Sequence, residues 1–280
     1  MTHFLTLALT LSLSLAACAD SKESVESAQQ SAEVVTTPKA VAAPSVVDPL
    51  ALVPEAPMAE ADLAEYVRTI EPIKARNGEL RISSPQLSTP AAAKMLLERL
   101  SSERDSERVK KALVIALPRT QGDYASGAVA LLKTEKSSDL RAALVDSMLL
   151  AKDADSALKG LSIGLADSSA EVRSRAAAAL GRRADGLDRE DELLAALGDS
   201  DAGVQSAAAK ALGHLGSSKG FAQLEALLSS RSADVRLESL RAMGRIDAER
   251  ASQLSQLAEL GADDDGRVRT AAGKVTARAY

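Results

Sequence analysis

Few residues of the types that carry out enzyme chemistry occur in this chain. It has two histidines, His3 and His214, and one cysteine, Cys18. His3 lies in the apolar N-terminal segment, and the one remaining histidine and one cysteine are too few ligands for a common zinc site. Neither a phosphate-binding Gly-rich loop nor an H-E-x-x-H segment is present. Asp263–Asp265 lack the alternating spacing and distal glutamate of a calcium loop, so helix capping explains them better. We therefore expect no catalytic residue, no metal site and no cofactor.

Basic residues recur at one position of an internal repeat. The repeat is anchored on an apolar residue at spacings of 31 to 33 residues, at Val109, Leu140, Val172, Val204, Val235 and Val268. The residue after the anchor is basic in five of the six copies: Lys110, Arg141, Arg173, Gln205, Arg236 and Arg269. The five basic residues are a candidate partner-binding ladder for an acidic protein segment or an anionic polymer.

A structural alternative for the ladder stays open. Aspartates occur in the turns between the predicted helices, and residues 61–280 carry 32 acidic and 32 basic residues. An equal number of charges favours pairing within the repeats. The binding interpretation is supported by additional arginines at positions 175, 182, 183, 241 and 245.

The elements that would position the ladder are pairs of helices. Small or apolar residues four, seven and eight positions after each anchor lie on one helix face. Gly181, Gly213 and Gly244 follow at position nine, where we expect each helix to end in a left-handed cap. A leucine-rich segment precedes each anchor helix, and a period in this range is typical of stacked repeats. We also expect Asp201 and Asp265 to be N-caps and residues 168–171 to form a capping box.

The pattern D-x-x-x-x-V-R-x-x-A-A-x-A-L-G after a leucine-rich helix resembles the short HEAT repeats common in bacteria, including those of phycobilin lyases. The resemblance covers roughly residues 90–280. It implies an all-α fold, a right-handed α-solenoid of about six HEAT-like helix pairs, and a non-catalytic scaffold that binds another protein. A lyase-like or chromophore-handling role is the alternative, which an export signal and an aromatic content of 2% disfavour. Nucleic-acid binding is not expected, because the solenoid is not basic and has no tryptophan for stacking.

The N-terminal residues predict an exported, lipid-anchored protein. Residues 1–17 contain an uncharged apolar run that is too short to span a membrane and is typical of a secretory signal. The segment Leu15-Ala16-Ala17-Cys18 resembles the lipobox of bacterial lipoproteins, which implies that Cys18 is lipidated and anchors the chain in the bacterial cell envelope, facing the periplasm. In a host with two membranes, the resemblance favours the outer over the inner membrane because Ala19 follows the cysteine.

Composition divides the rest of the chain. Residues 18–60 are rich in Pro, Ala and Ser, so we expect a disordered tether, in which Asp20–Glu60 carry seven acidic and two basic residues. Residues 61–89 are expected to cover the first repeat with a short helix over Ala61–Lys74, a turn at Asn77-Gly78 and an extended piece at Glu79–Ile82. Thr89 as N-cap and Pro90 as first helical residue then begin the solenoid, residues 90–280. The oligomeric state stays open.

Overall fold

A computed structural model describes residues 58–74, 80–82 and 85–277, and for Leu80 the backbone alone. The predicted signal peptide, Cys18, nearly all of the tether and the Asn77-Gly78 turn lie outside the described residues. The helices and strands are α1 Glu60–Thr69, β1 Ile73–Lys74, β2 Leu80–Arg81, α2 Pro90–Leu100, α3 Glu107–Ala116, α4 Ala125–Thr134, α5 Ser138–Met148, α6 Ala154–Leu165, α7 Ala170–Leu180, α8 Glu190–Ala196, α9 Ala202–Leu215, α10 Phe221–Ala226, α11 Ala233–Ile246, α12 Ala248–Ser252, α13 Leu257–Leu260 and α14 Gly266–Ala277.

From residue 90 onward, the helices form an α-solenoid of six pairs, which confirms the predicted all-α fold. The second helices of the pairs are α3, α5, α7, α9, α11 and α14, and each packs on the next. The first helices are α2, α4, α6, α8 and α10, with α12 and α13 together in the sixth pair. Each repeat therefore buries its apolar face against its neighbours along the stack.

The core lies between the two layers and consists mainly of leucine, valine and alanine. The anchors Val172, Val204, Val235 and Val268 are completely buried. Alanines four or seven positions after the anchor are also buried, and these small side chains let successive second helices approach closely. No described helix is both long and apolar enough to cross a membrane.

The predicted left-handed caps at position nine are wrong. Gly213 and Gly244 lie inside α9 and α11, and Gly181 ends α7 with a right-handed backbone. Among the described glycines, Gly216 alone has a positive φ, 71°, and it ends α9. Close packing explains Gly181 and Gly213, because a Cβ on either would lie 2.5 Å from the Cα of an alanine in the next repeat, Ala211 or Ala242.

Polar side chains begin the helices at most of the predicted positions. The Thr89 hydroxyl accepts a hydrogen bond from the Ala92 amide, and Pro90 follows as the first helical residue. Asp201 accepts from the Gly203 and Val204 amides, and Asp265 accepts from the Arg267 amide.

The capping box predicted at residues 168–171 does not form. Ser169 makes no side-chain cap bond, and its amide instead donates to the Asp167 carboxylate at 2.8 Å.

The N-terminal region covers the first repeat, as predicted. Helix α1 packs on α2, and β2 packs on α3. The predicted helix over Ala61–Lys74 is too long: α1 ends at Thr69, because Pro72 disfavours the helical backbone of the residue before it. Ile73–Lys74 instead pairs antiparallel with Leu80–Arg81, which confirms the expected extended piece.

Candidate functional site

Three ladder arginines form paired hydrogen bonds with an aspartate of the following repeat. In one pair, the Nε and Nη2 of Arg173 donate to the two carboxylate oxygens of Asp199 at 2.7 and 2.8 Å. The same geometry joins Arg141 to Asp167 and Arg236 to Asp263. These side chains are between 8% and 17% exposed, so each pair is largely shielded from water. A bidentate guanidinium–carboxylate pair is strong and has a fixed geometry.

The third nitrogen of each guanidinium fixes the turn of its own repeat. The Nη1 of Arg173 donates to the carbonyl oxygens of Asp167 and Ser168 at 2.9 and 3.2 Å. Asp167 thus accepts from Arg141 through its carboxylate and from Arg173 through its carbonyl. The same carboxylate also accepts the Ser169 amide, so one aspartate joins two repeats and begins a helix.

The ladder is interrupted where both partners change together. Gln205 replaces the arginine on α9, and Ser230 occupies the place of the aspartate in the next turn. Gln205 still donates to the Asp199 carbonyl at 2.7 Å, and the Ser230 hydroxyl still accepts the Ser232 amide. Both local bonds are therefore kept at this junction, whereas the ion pair between the repeats is absent.

The ends of the ladder differ from its middle. Arg269, in the last repeat, donates to the carbonyls of Asp263 and Asp264. Lys110, in the first repeat, forms no ion pair with any described residue and is partly exposed. The structure therefore brings Arg141, Arg173 and Arg236 into pairs within the chain. Binding of a partner by the ladder stays a prediction.

Charge pairing shifts the titration of the ladder. The hydrogen bonds donated by Arg141, Arg173 and Arg236 lower the pKa of Asp167, Asp199 and Asp263 below 3.8, and burial partly opposes this shift. These carboxylates thus stay charged at neutral pH. The last turn contains two other aspartates that we predicted to cap. Asp265 pairs with Arg267, and Asp264 is exposed. No described cluster of His, Cys, Asp or Glu could hold a metal ion.

A second set of basic residues lies on a different face of the second helices. Six positions after the anchor, the exposed or half-exposed residues along the stack are Ile115, Asp146, Ala178, Lys210, Arg241 and Lys274. These positions follow the ladder positions by five residues. A step of five residues is a rotation of about 140° around a helix, so this face points away from the ladder. Ten positions after the anchor follow Leu150, Arg182, His214 and Arg245, all exposed. We call the following cations the basic ridge: Arg182, which follows the end of α7, and Lys210, Arg241, Arg245 and Lys274 on the later second helices.

Most cations of the basic ridge have no partner within the described part of the chain. Arg241 pairs with Glu238 at 2.6 Å, whereas Arg182, Lys210, Arg245 and Lys274 form no ion pair with a described residue. Burial lowers the pKa of His214, and the charges of Arg245 and Lys210 lower it further. Four of the five cations of the basic ridge therefore have no ion-pair partner among the described residues.

A groove lies at the last two second helices, beside the basic ridge. It has a volume of about 700 Å³ and is lined by Arg241, Arg245 and Lys274 together with the apolar Ala271 and Val275. Asp264 and Asp265 also line it.

The early repeats carry a different surface. Ile115 and Leu150 are 46% and 65% exposed and line a groove of about 390 Å³ with Asp146, Glu171 and Arg175. Arg175 pairs with Asp146 and Glu171, so its charge is compensated. The surface therefore changes from apolar and charge-paired in the early repeats to basic in the late ones.

Sequence reasoning named three of the five ridge residues, Arg182, Arg241 and Arg245, only as additional arginines, and it missed Lys210 and Lys274. The signal was present, because both lysines stand six positions after an anchor, as Arg241 does. Two segments, residues 160–164 and 216–220, match the G-x-S-x-G hydrolase pattern. Neither follows a strand in the structure, so neither has the strand–turn–helix geometry that exposes the nucleophile of that motif.

A known protein family matches the late repeats. Residues 158–230 and 190–277 match a family model described as HEAT repeats. This part of the chain is similar to HEAT repeats. The match begins within α6 and covers the helices from α7 onward, including both ladder pairs from Arg173 onward and the whole basic ridge. No curated protein matches the chain.

Several solved structures of engineered proteins align with most of this chain. One engineered protein is 20% identical with a TM-score of 0.48, and the match covers 78% of this chain and 96% of the other. A computationally designed armadillo repeat protein for modular peptide recognition is 18% identical with a TM-score of 0.46 over 79% and 100% of the two chains. A designed armadillo repeat protein in complex with the peptide (KR)4 is 18% identical, with a TM-score of 0.48 over 80% and 100%.

Proposed function

We propose that this protein is a non-catalytic HEAT-repeat scaffold that binds another protein through its basic ridge. The observation that carries the proposal is the contrast between two sets of cations. The ladder arginines in the middle of the stack are held by carboxylates of the same chain, whereas four cations of the ridge are exposed and have no described ion-pair partner. Exposed polar and charged surface on a rigid stack of repeats is suited to partner binding.

The proposed location is the bacterial cell envelope, with a lipid on Cys18 as the anchor. The proposal is supported by the uncharged apolar run that ends in Leu15-Ala16-Ala17-Cys18. Attachment of several acyl chains to one residue gives stable anchoring, whereas a single chain binds a membrane marginally. The Pro-rich residues 18–60 would set the distance between the membrane and the repeats. In a host with two membranes, we favour the outer one.

The test is crosslinking in the native host, in which the wild-type chain is compared with Cys18→Ser. We expect a small set of envelope proteins to be captured with the wild type and lost with the variant, which should leave the membrane fraction. Ridge variants that keep Cys18 then show whether capture requires the ridge. Capture of the same cytoplasmic proteins by both chains would contradict the proposal.

A further inference from the structure

We infer that the basic ridge binds an extended acidic peptide segment with a carboxylate at every third residue. This inference rests on the proposed function and names the chemistry of the partner. Lys210, Arg241 and Lys274 stand at equivalent positions on three successive second helices, α9, α11 and α14. The helices pack directly on one another. The three cations therefore form one row across the stack.

The spacing of this row matches one peptide conformation. Packed helices lie about 8–10 Å apart, so equivalent residues on successive helices are separated by about that distance. A polyproline II chain rises about 3.1 Å per residue with three residues per turn, so every third side chain is on one side and about 9 Å from the last. A β-strand, in contrast, alternates its side chains with a period of two. The row therefore matches carboxylates at every third position of a polyproline II segment.

The ridge has a further arginine on α11 and lies beside a groove. Arg245 follows Arg241 by four residues on α11, so these two side chains are neighbours on one helix face. The guanidinium group of Arg245 can bind a carboxylate in a bidentate manner, as the ladder arginines do, whereas Arg241 already donates to Glu238. The groove of about 700 Å³ that Arg245 and Lys274 line also includes Ala271 and Val275, which are 7% and 6% exposed and so add a small apolar surface.

Several features favour a peptide over a nucleic acid. Asp264 and Asp265 line the same groove and would repel a phosphate at every nucleotide more than a carboxylate at every third residue. The ridge has no aromatic side chain on which bases could stack. Residues 61–280 carry equal numbers of acidic and basic residues, so a long polyanion gains no attraction beyond the ridge itself.

The experiment measures fluorescence anisotropy of labelled peptides with the full chain in neutral detergent. The probe is a peptide of about fifteen residues that repeats Glu-Pro-Ala, and its control has the same composition with the glutamates clustered at one end. We expect the periodic peptide to bind more tightly than the clustered one, with an affinity that falls as salt rises. Equal binding of the two peptides, or tighter binding of a single-stranded oligonucleotide, would overturn the inference.

Charge reversal locates the binding surface. Lys210→Glu with Lys274→Glu should weaken binding of the periodic peptide by roughly tenfold or more, since two attractive contacts become repulsive. The matched control is Lys133→Glu with Lys159→Glu, which makes the same change of charge at two exposed lysines of the first helices, and it should alter binding less than twofold. If the ridge variant does not fold, Lys210→Gln with Lys274→Gln replaces it, and an unchanged affinity would overturn the inference.

The two proposals can fail separately. If the wild type captures envelope proteins in a Cys18-dependent manner but the periodic peptide does not bind, the scaffold proposal holds and the acidic-segment inference is wrong. If the peptide binds at the ridge but capture does not depend on Cys18, the inference holds and the anchored scaffold is wrong.

Discussion

Each central ladder aspartate makes three kinds of stabilising contact. Asp199 binds Arg173 of the preceding repeat, accepts the Asp201 amide at the start of α9, and offers its carbonyl to Gln205. Asp199 lies in one loop, but its hydrogen bonds join two repeats. Removing its negative charge should therefore affect the whole junction.

We expect Asp199→Asn to lower the free energy of unfolding by about 1–3 kcal/mol, because a shielded guanidinium loses its charged acceptor. Chemical denaturation monitored by circular dichroism measures the loss. The control is Glu103→Gln, an exposed loop carboxylate, which should change stability by no more than about 0.5 kcal/mol. Equal effects of the two substitutions would show that the ion pair contributes nothing specific.

At the scale of helices, the close contact of α9 with α11 depends on a glycine. A Cβ on Gly213 would lie 2.5 Å from the Cα of Ala242, whereas a Cβ on Gly273, inside α14, meets no atom within 4 Å. The two glycines differ in what surrounds them, although both lie in second helices.

Gly213→Ala should therefore destabilise the protein by about 1–3 kcal/mol, because the helices must move apart. Gly273→Ala should stabilise it by up to about 1 kcal/mol through the better helix propensity of alanine. Thermal and chemical denaturation of both variants test this difference in sign. A stabilising effect at both sites would mean that helix propensity outweighs the close contact.

The interrupted junction between α9 and α11 suggests that the ladder can be completed. Gln205 and Ser230 already keep the two local bonds that the arginine and the aspartate make elsewhere. We expect Gln205→Arg together with Ser230→Asp to stabilise the protein by about 1–2 kcal/mol more than the sum of the single substitutions. A double-mutant cycle measures this coupling, and a value near zero would show that the local backbone does not bring the two residues together.

At the scale of the whole molecule, the ladder predicts how stability depends on pH. The folded-state pKa values of Asp167, Asp199 and Asp263 lie below the ordinary value of 3.8 because of their arginine partners. A carboxylate of this kind stabilises the folded state above the unfolded pKa, and the contribution is lost as pH falls through the folded pKa.

We therefore expect the unfolding temperature to fall steeply below about pH 4. The difference in stability between the wild type and Asp199→Asn should narrow over the same range, because the wild-type carboxylate becomes protonated. Scanning calorimetry from pH 7 to pH 2.5 measures both effects. A constant difference at all pH values would contradict the role of the Asp199 charge.

The sequence alone predicted the features that depend on local periodicity. The spacing of 31 to 33 residues identified the repeats, and the apolar positions after each anchor identified the buried face of each second helix. These predictions succeeded because a solenoid repeat contacts mainly its neighbours, so its pattern recurs in the sequence. Thr89, Asp201 and Asp265 were likewise recognised as caps, because a cap bonds to amides only two or three residues away.

The tertiary structure decided the features that depend on contacts between repeats. Arg173 and Asp199 are 26 residues apart, and only the stacking of two repeats gives this arginine its carboxylate. The glycines at position nine looked like helix ends until the approach of the next helix explained them. The same stacking aligns Lys210, Arg241 and Lys274 on one exposed face. Packing of the repeats thus determines which cations are paired with carboxylates of the same chain, because equivalent residues of different repeats meet only when the helices stack.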